Sequence, residues 1–246
     1  LYSTLLDGNF FVPESVIALK SCYDTCGPYD TTLKSCEDWD LWLCMTQRYE
    51  FAGLSDVLIR YRVVLGSMSS NPGRMLANRL AVLGKHIGPE PTTTQWAGNV
   101  QQRAYALAYF RAVVEYLQNG DVEQSYAALK QVARLDGSRL ADISTQYEMA
   151  CGQQPKGLRG QYAQLDISET AESLHITLAR IAAEPDLQAV LTSKRRTIEA
   201  TEHTALALLA YNTGAAQAAR DHALKALQLE PQRIFQPDFA AMVVRN

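Results

Sequence analysis

The sequence predicts an α+β protein in two parts, an α/β segment over residues 1–87 and a mostly α-helical region over residues 95–246. Residues 10–19 and 50–64 are rich in β-branched and aromatic residues, as β-strands are. Between residues 88 and 95 the composition shifts to proline and threonine, which indicates a boundary. Beyond it, apolar residues recur three and four positions apart, the spacing of one helix face.

The elements of the first part follow from local signals. Residues 10–19 should be extended, and residues 50–64 should form one or two strands. A short helix should end at Gly27, because glycine is common just after helix ends. A tryptophan-rich helix is predicted over residues 37–48. The next helix should start near Pro72, since proline fits the first helical turn.

The second part predicts paired helices. Residues 116–137 and 210–231 each place a glycine turn before a helix with small residues at regular intervals. Both segments resemble the helix pair of tetratricopeptide repeats, in which small side chains let helices approach closely. The separation between Gly120 and Gly214 is not a multiple of that repeat's period of about 34 residues. We therefore expect an irregular helical-repeat domain, with a plain helical bundle as the alternative.

Composition argues against two classes of partner. A net charge of −3 and an isoelectric point near 5.8 give no electrostatic support for nucleic-acid binding. No apolar run approaches the roughly 20 residues that cross a bilayer. We expect a cytoplasmic location, either free or at the inner face of a membrane. The chain begins at Leu1 without a signal-peptide pattern, which suggests a piece of a longer protein.

The cysteines and histidines do not form a recognisable metal motif. Four of the five cysteines fall close together: Cys22, Cys26, Cys36 and Cys44. They lack the C-x2-C spacing of zinc sites, so buried free thiols are expected, with zinc as an alternative. The histidines are scattered along the chain: His86, His175, His203 and His222. We therefore predict no metal ligands in this chain.

The stretch SCEDWDLWL, residues 35–43, concentrates acidic and aromatic side chains at a predicted helix start. Ser35 and Asp38 have the spacing of a capping box, in which each side chain satisfies a backbone N–H. Acidic residues such as Glu37 and Asp40 in a first turn also favour the helix dipole. The alternative is an active site in which one carboxylate acts as a base.

Four motifs in the first part favour the active site. They are Gly8-Asn9, Gly27-Pro28-Tyr29-Asp30, the run from Glu37 to Leu43, and Tyr61-Arg62 leading to Ser67 and Ser69. Their order resembles the C-terminal, acceptor-side part of a family 2 glycosyltransferase catalytic domain, which has the GT-A fold. The sequence departs from that family at Val64, where histidine is frequent, and at Cys44, where arginine is usual.

The resemblance implies a role for each acidic residue. Asp38 would be the general base that takes a proton from the acceptor hydroxyl during inverting transfer from a nucleotide-sugar. Residues implied to bind substrate are Asn9, Glu37, Trp39, Asp40 and Arg62. Packing in the core is the alternative for Trp39. The family's divalent metal, Mg or Mn, binds through a D-x-D motif in a donor-binding half that precedes the base; no such half lies ahead of Ser35, so the metal is expected only in a parent enzyme.

Three hypotheses of function follow, and the third, a zinc- or thiol-based regulator, rests only on the cysteine cluster. In the first, the chain is a C-terminal fragment of a glycosyltransferase acting on a glycan, lipid-linked or protein acceptor. The fragment alone would be inactive because it lacks the donor- and metal-binding half. In the second, the helical region binds a protein partner, as tetratricopeptide-like surfaces do.

Overall fold

The structure, a computed structural model, describes residues 1–62, 70–92, 99–152, 154, 161–162 and 165–235. These residues form helices, turns and loops without a β-strand, so the α+β prediction is wrong and the described chain is all-α. The chain divides into a first unit, Leu1–Ala112, and a second unit, Val113–Asn246. The predicted domains, residues 1–87 and 95–246, stay a prediction. They are defined by composition and resemblance, whereas the two units are defined by contacts within the fold.

Among the described residues, five α-helices lie wholly or partly in the first unit: α1 (Tyr2–Leu6), α2 (Lys20–Cys26), α3 (Glu37–Thr46), α4 (Pro72–Ile87) and α5 (Val100–Gln118), which continues into the second unit. As predicted, α2 ends at Gly27, whose φ of 86° is a value that favours glycine. Pro72 begins α4, also as predicted, and the Asn71 side chain accepts a hydrogen bond from the backbone N–H of Arg74 at 2.9 Å.

The predicted strands are extended or irregular chain without a partner. Val12 and Val16 have extended backbone angles, but a 3-10 turn, Pro13–Ser15, separates them. Residues 51–62 make no backbone hydrogen bond to another described residue, and Val57 is 93% exposed. A strand needs a neighbour to satisfy its N–H and C=O groups, and β propensity does not supply one. Residues 63 and 64 lie outside the described part.

The core of the first unit is built around α3. Trp42, Leu43 and Met45 are at most 1% exposed. Trp39 is also buried, and its indole N–H donates to the carbonyl oxygen of Leu5 at 2.8 Å, which ties α3 to α1. A buried indole with a satisfied N–H contributes both apolar area and orientation.

In the part of the second unit that the structure describes lie six further α-helices: α6 (Val122–Asp136), α7 (Ile143–Ala150), α8 (Ile167–Ala182), α9 (Gln188–Leu191), α10 (Arg195–Asn212) and α11 (Ala216–Leu229). The predicted apolar face of α8 is buried at Leu174, Leu178 and Ile181. None of the helices in the described ranges is both long enough and apolar enough to span a membrane.

Helices α10 and α11 form a hairpin that packs through small residues. Ala207, Ala223 and Ala226 are at most 4% exposed and form one apolar cluster. The turn between the helices contains Gly214 at a φ of 78°. The sequence pattern predicted the turn at Gly214 and the close packing of the two helices through small residues. The resemblance to tetratricopeptide repeats stays a prediction.

Replacing Gly214 by alanine should lower the free energy of unfolding of the second unit by about 1 kcal/mol, because a left-handed backbone strains a residue with a Cβ. A Cβ at this position meets no atom within 4 Å, so no clash contributes. Urea denaturation followed by helical circular dichroism would measure the change. Gly214→Asn is the control, since asparagine tolerates this conformation. Equal losses in both variants would contradict the explanation.

Candidate functional site

A cleft of ≈ 470 Å³ lies in the first unit between the segment after α1 and the start of α3. Its acidic lining includes Glu37 and Asp38, and its aromatic lining includes Phe11 and Tyr61. Phe11 is held by stacking on Phe51, with ring centroids 5.8 Å apart. The cleft therefore combines hydrogen-bonding groups with flat apolar walls, as small-molecule sites do.

The carboxylate of Asp38 is half-buried in this cleft and held at both oxygens. Oδ2 accepts a hydrogen bond from Nδ2 of Asn9 at 2.9 Å, and Oδ1 accepts one from the backbone N–H of Trp39 at 2.7 Å. Oδ1 of Asn9 accepts from the backbone N–H of Phe11 at 3.0 Å. This bond fixes the orientation of the amide, so its NH₂ group must face Asp38.

The surroundings of Asp38 make it a stronger base than an exposed aspartate. Burial raises the pKa of Asp38, and the negative charge of Glu37 raises it further. The hydrogen bonds from Trp39 and Asn9 act in the opposite direction without cancelling the rise. A carboxylate with a raised pKa in a cleft is a typical candidate for proton transfer.

The predicted capping box between Ser35 and Asp38 is not formed. Cys36 is the N-cap of α3, and its φ of 65° lies in the left-handed region, which is unusual for a residue other than glycine. Ser35 is buried, and its Oγ has no hydrogen-bond partner among the described residues. The left-handed residue turns the chain so that Ser35 cannot reach the first turn of the helix as a cap.

Asp40 lies away from the cleft, in an ion-pair network at the end of α4. Its Oδ1 is 2.8 Å from Nε2 of His86, and its Oδ2 is 2.7 Å from Nζ of Lys85. Burial raises the pKa of Asp40, but the hydrogen bonds from His86 and Lys85 outweigh this, so the pKa is lowered. The network fixes α3 against α4, which is a structural role.

The other predicted substrate-binding residues divide between the cleft and elsewhere. Asn9 and Glu37 line it beside Asp38. Trp39 reaches its wall but is 2% exposed, and its N–H is already bonded. Arg62 is exposed and is not part of the cleft wall. Ser67 and Ser69 lie outside the described residues. The substrate-binding roles stay predictions.

Two arginines of the cleft were not identified from the sequence. Arg79, from α4, is buried, and Arg111, from α5, is half-buried. Nη1 of Arg111 donates to the carbonyl oxygen of Asn9 at 3.4 Å. Its guanidinium lies over Gly8, where an added Cβ would be 2.2 Å from it. The φ of Gly8, 141°, is a value that favours glycine.

No group of three or more histidine, cysteine or acidic side chains in the described ranges is arranged to hold a metal ion. No disulfide bond joins any of the five cysteines, all of which lie in the described ranges. Arg48 lies beside one of them, with Nη1 2.8 Å from Sγ of Cys44. The described residues therefore do not fit the divalent metal that the resemblance implies for a parent enzyme.

Replacing Asp40 by alanine should lower the free energy of unfolding of the first unit by about 3 kcal/mol. The variant removes the carboxylate that Lys85 and His86 share, although Lys85 keeps its pair with Asp30. The loss falls at the lower end of the range for buried ion pairs because Lys85 is half-exposed. Tryptophan fluorescence in urea would measure it, since all three tryptophans lie before residue 113.

Asp24→Ala is the matched control, because the Lys20–Asp24 pair is exposed and should contribute less than about 1 kcal/mol.

The contribution of Asp40 to stability should depend on pH. Because the pKa of Asp40 is lowered, this contribution is fully present above the usual pKa of 3.8 and is lost as the pH falls through the lowered pKa. The difference between wild type and Asp40→Ala should therefore shrink only below pH 3.8. A difference that is constant down to complete protonation would contradict the ion-pair explanation.

Comparison of the chain with protein-family models, with curated proteins and with solved structures found no match. The cleft geometry and the order of the sequence motifs are therefore the grounds on which a function can be argued.

Proposed function

We propose that the first unit is the acceptor-side part of an inverting glycosyltransferase and that Asp38 is its general base. The observation that carries the proposal is the half-buried Asp38 carboxylate, which lines the cleft and is oriented by Asn9. The order of the four sequence motifs in residues 8–69 is the second support. It does not depend on the α+β fold, which the described residues do not have.

Inverting sugar transfer requires one carboxylate at the position of Asp38. The acceptor oxygen attacks the anomeric carbon of the donor sugar while the bond from that carbon to the nucleotide diphosphate breaks. Asp38 takes the hydroxyl proton as the new carbon–oxygen bond forms, which prevents positive charge from building on the acceptor oxygen. The raised pKa of Asp38 supports this role because it increases the driving force for accepting a proton.

The cleft walls suit a sugar acceptor. Phe11 and Tyr61 offer aromatic faces on which the C–H face of a sugar ring can pack. Glu37 offers acceptors for sugar hydroxyl groups, and the side chains of Arg79 and Arg111 also line the cleft. A glycan with many hydroxyl groups is therefore the acceptor class that we favour.

The proposal places the nucleotide-sugar and its Mg or Mn ion in another part of a parent protein, with a cytoplasmic location. The exposed, unpaired segment 51–62 supports this division of the site. Val57 and Leu54, which are 93% and 76% exposed, would be covered if a sheet of the donor-binding part paired with this segment. The chain by itself is then inactive.

A second candidate is a protein-binding module formed by the helices of the second unit. The α10–α11 hairpin and a cleft of ≈ 410 Å³ in the same unit favour it. In that case Asp38 has no chemical role, and its substitution would leave function unchanged. The two candidates therefore differ in their response to the same variant.

Asp38→Asn in the parent protein should lower the rate of sugar transfer by at least about 10²-fold, because asparagine keeps the size of the side chain but removes the base. Transfer from radiolabelled UDP-glucose, UDP-N-acetylglucosamine and GDP-mannose to a mixed glycan acceptor would measure it. The KM for the donor should not change, since Asp38 is assigned to the acceptor.

Asp24→Asn, on the exposed face of α2, is the control and should keep the full rate. A rate for Asp38→Asn within about twofold of wild type would remove Asp38 from the reaction and favour the second candidate. Transfer by the present chain alone would overturn the separate placement of the donor site.

A further inference from the structure

A second cleft, of ≈ 410 Å³, lies within the second unit, between α8, α9 and α10. Its apolar floor is formed by Leu178, Ile181, Leu191 and Ile198, all of them buried. The volume is in the range of small-ligand sites, about 300–1,000 Å³. The floor alone would suit any apolar group, so the polar residues decide what this cleft accepts.

Glu202 is a buried carboxylate in the wall of this cleft, with 5% of its side chain exposed. Its Oε1 is 3.1 Å from Nδ1 of His175, whose side chain is 69% exposed. Oε2 has no hydrogen-bond partner among the described residues and is not sealed from solvent. A buried carboxylate is normally paired on both oxygens, so this one lacks a partner.

The other charged groups near the cleft leave Glu202 poorly compensated. Arg195 lies on the rim but is bonded to Glu199, with Nε 3.0 Å from Oε1. Burial raises the pKa of Glu202 and Glu199 raises it further, against the attraction of His175 and, at longer range, Lys225. A cation that enters the cleft would therefore gain a carboxylate that the protein itself does not neutralise.

We propose that this cleft binds an alkylammonium group, with its ammonium on Oε2 of Glu202 and its aliphatic chain on the apolar floor. An ammonium suits the site better than a guanidinium, because His175 already occupies Oε1 and a guanidinium prefers both carboxylate oxygens. An ammonium can use one oxygen. The same chemistry is offered by a free aliphatic amine and by a lysine side chain. The inference uses the second unit alone and is independent of the role of Asp38.

Calorimetric titration of the full chain with n-hexylamine and with 1-hexanol tests the charge requirement without any variant. The amine should bind at least about tenfold more tightly than the alcohol of the same length, because it adds a charge-assisted hydrogen bond. Affinity should rise about fourfold for each methylene from n-butylamine to n-hexylamine. Equal affinity of amine and alcohol, or no binding of either at millimolar concentration, would overturn the proposal.

Glu202→Gln should weaken n-hexylamine binding about tenfold and leave 1-hexanol binding unchanged. Glu172→Gln, on the exposed surface of α8 and outside this cleft, is the matched control and should bind like wild type. Circular dichroism melting would confirm that both variants fold. Unchanged amine affinity in folded Glu202→Gln would also overturn the proposal.

The peptide acetyl-Gly-Lys-Gly-amide separates the two sources of the ligand. Binding of this peptide at least as tight as that of n-hexylamine would support a lysine side chain of a partner protein. Binding of n-hexylamine alone would support a free amine, since the peptide backbone would then be excluded from the cleft mouth.

Discussion

The contacts of the buried Asp40 carboxylate with Lys85 and His86 are the constraint on which the candidate site depends. They fix the rotation of α3 about its own axis against the end of α4. Successive residues of an α-helix are about 100° apart, so two positions two residues apart point in nearly opposite directions. Because the Asp40 side chain is held against the end of α4, the Asp38 side chain faces the opposite side of α3, where the cleft lies. The two carboxylates have similar sequence surroundings and opposite environments.

The same division explains their opposite pKa shifts. Burial raises the pKa of Asp40, but hydrogen bonds from His86 and Lys85 outweigh burial and lower it. Asp38 is without a cationic partner among the described residues, and a like charge at Glu37 adds to the cost of ionising it. A pair of carboxylates whose environments separate their pKa values is a frequent feature of acid–base sites. In this protein one member of the pair joins α3 to α4, and the other lines the cleft.

How far the sequence predicts the structure depends on the range of each interaction. The end of α2 at Gly27 and the start of α4 at Pro72 follow from neighbouring residues alone, and both were predicted. The strand prediction was wrong, because residues 51–62 have the composition of a strand but no partner in the described chain. The position of Asp38 in a cleft could be expected from its motif. The contribution of Arg111 to the cleft wall could not be predicted, because Arg111 lies in a helix distant in sequence from Asp38.

The central claim is that burial and Asn9 together set the state of the Asp38 carboxylate, and carbon-13 NMR titration of its side-chain carbonyl tests this most directly. The account predicts a pKa for Asp38 above 3.8 in the wild type and a still higher pKa in Asn9→Ala, because the bond from Asn9 favours the ionised form. A wild-type pKa at or below 3.8, or a pKa that falls on loss of Asn9, would contradict the account.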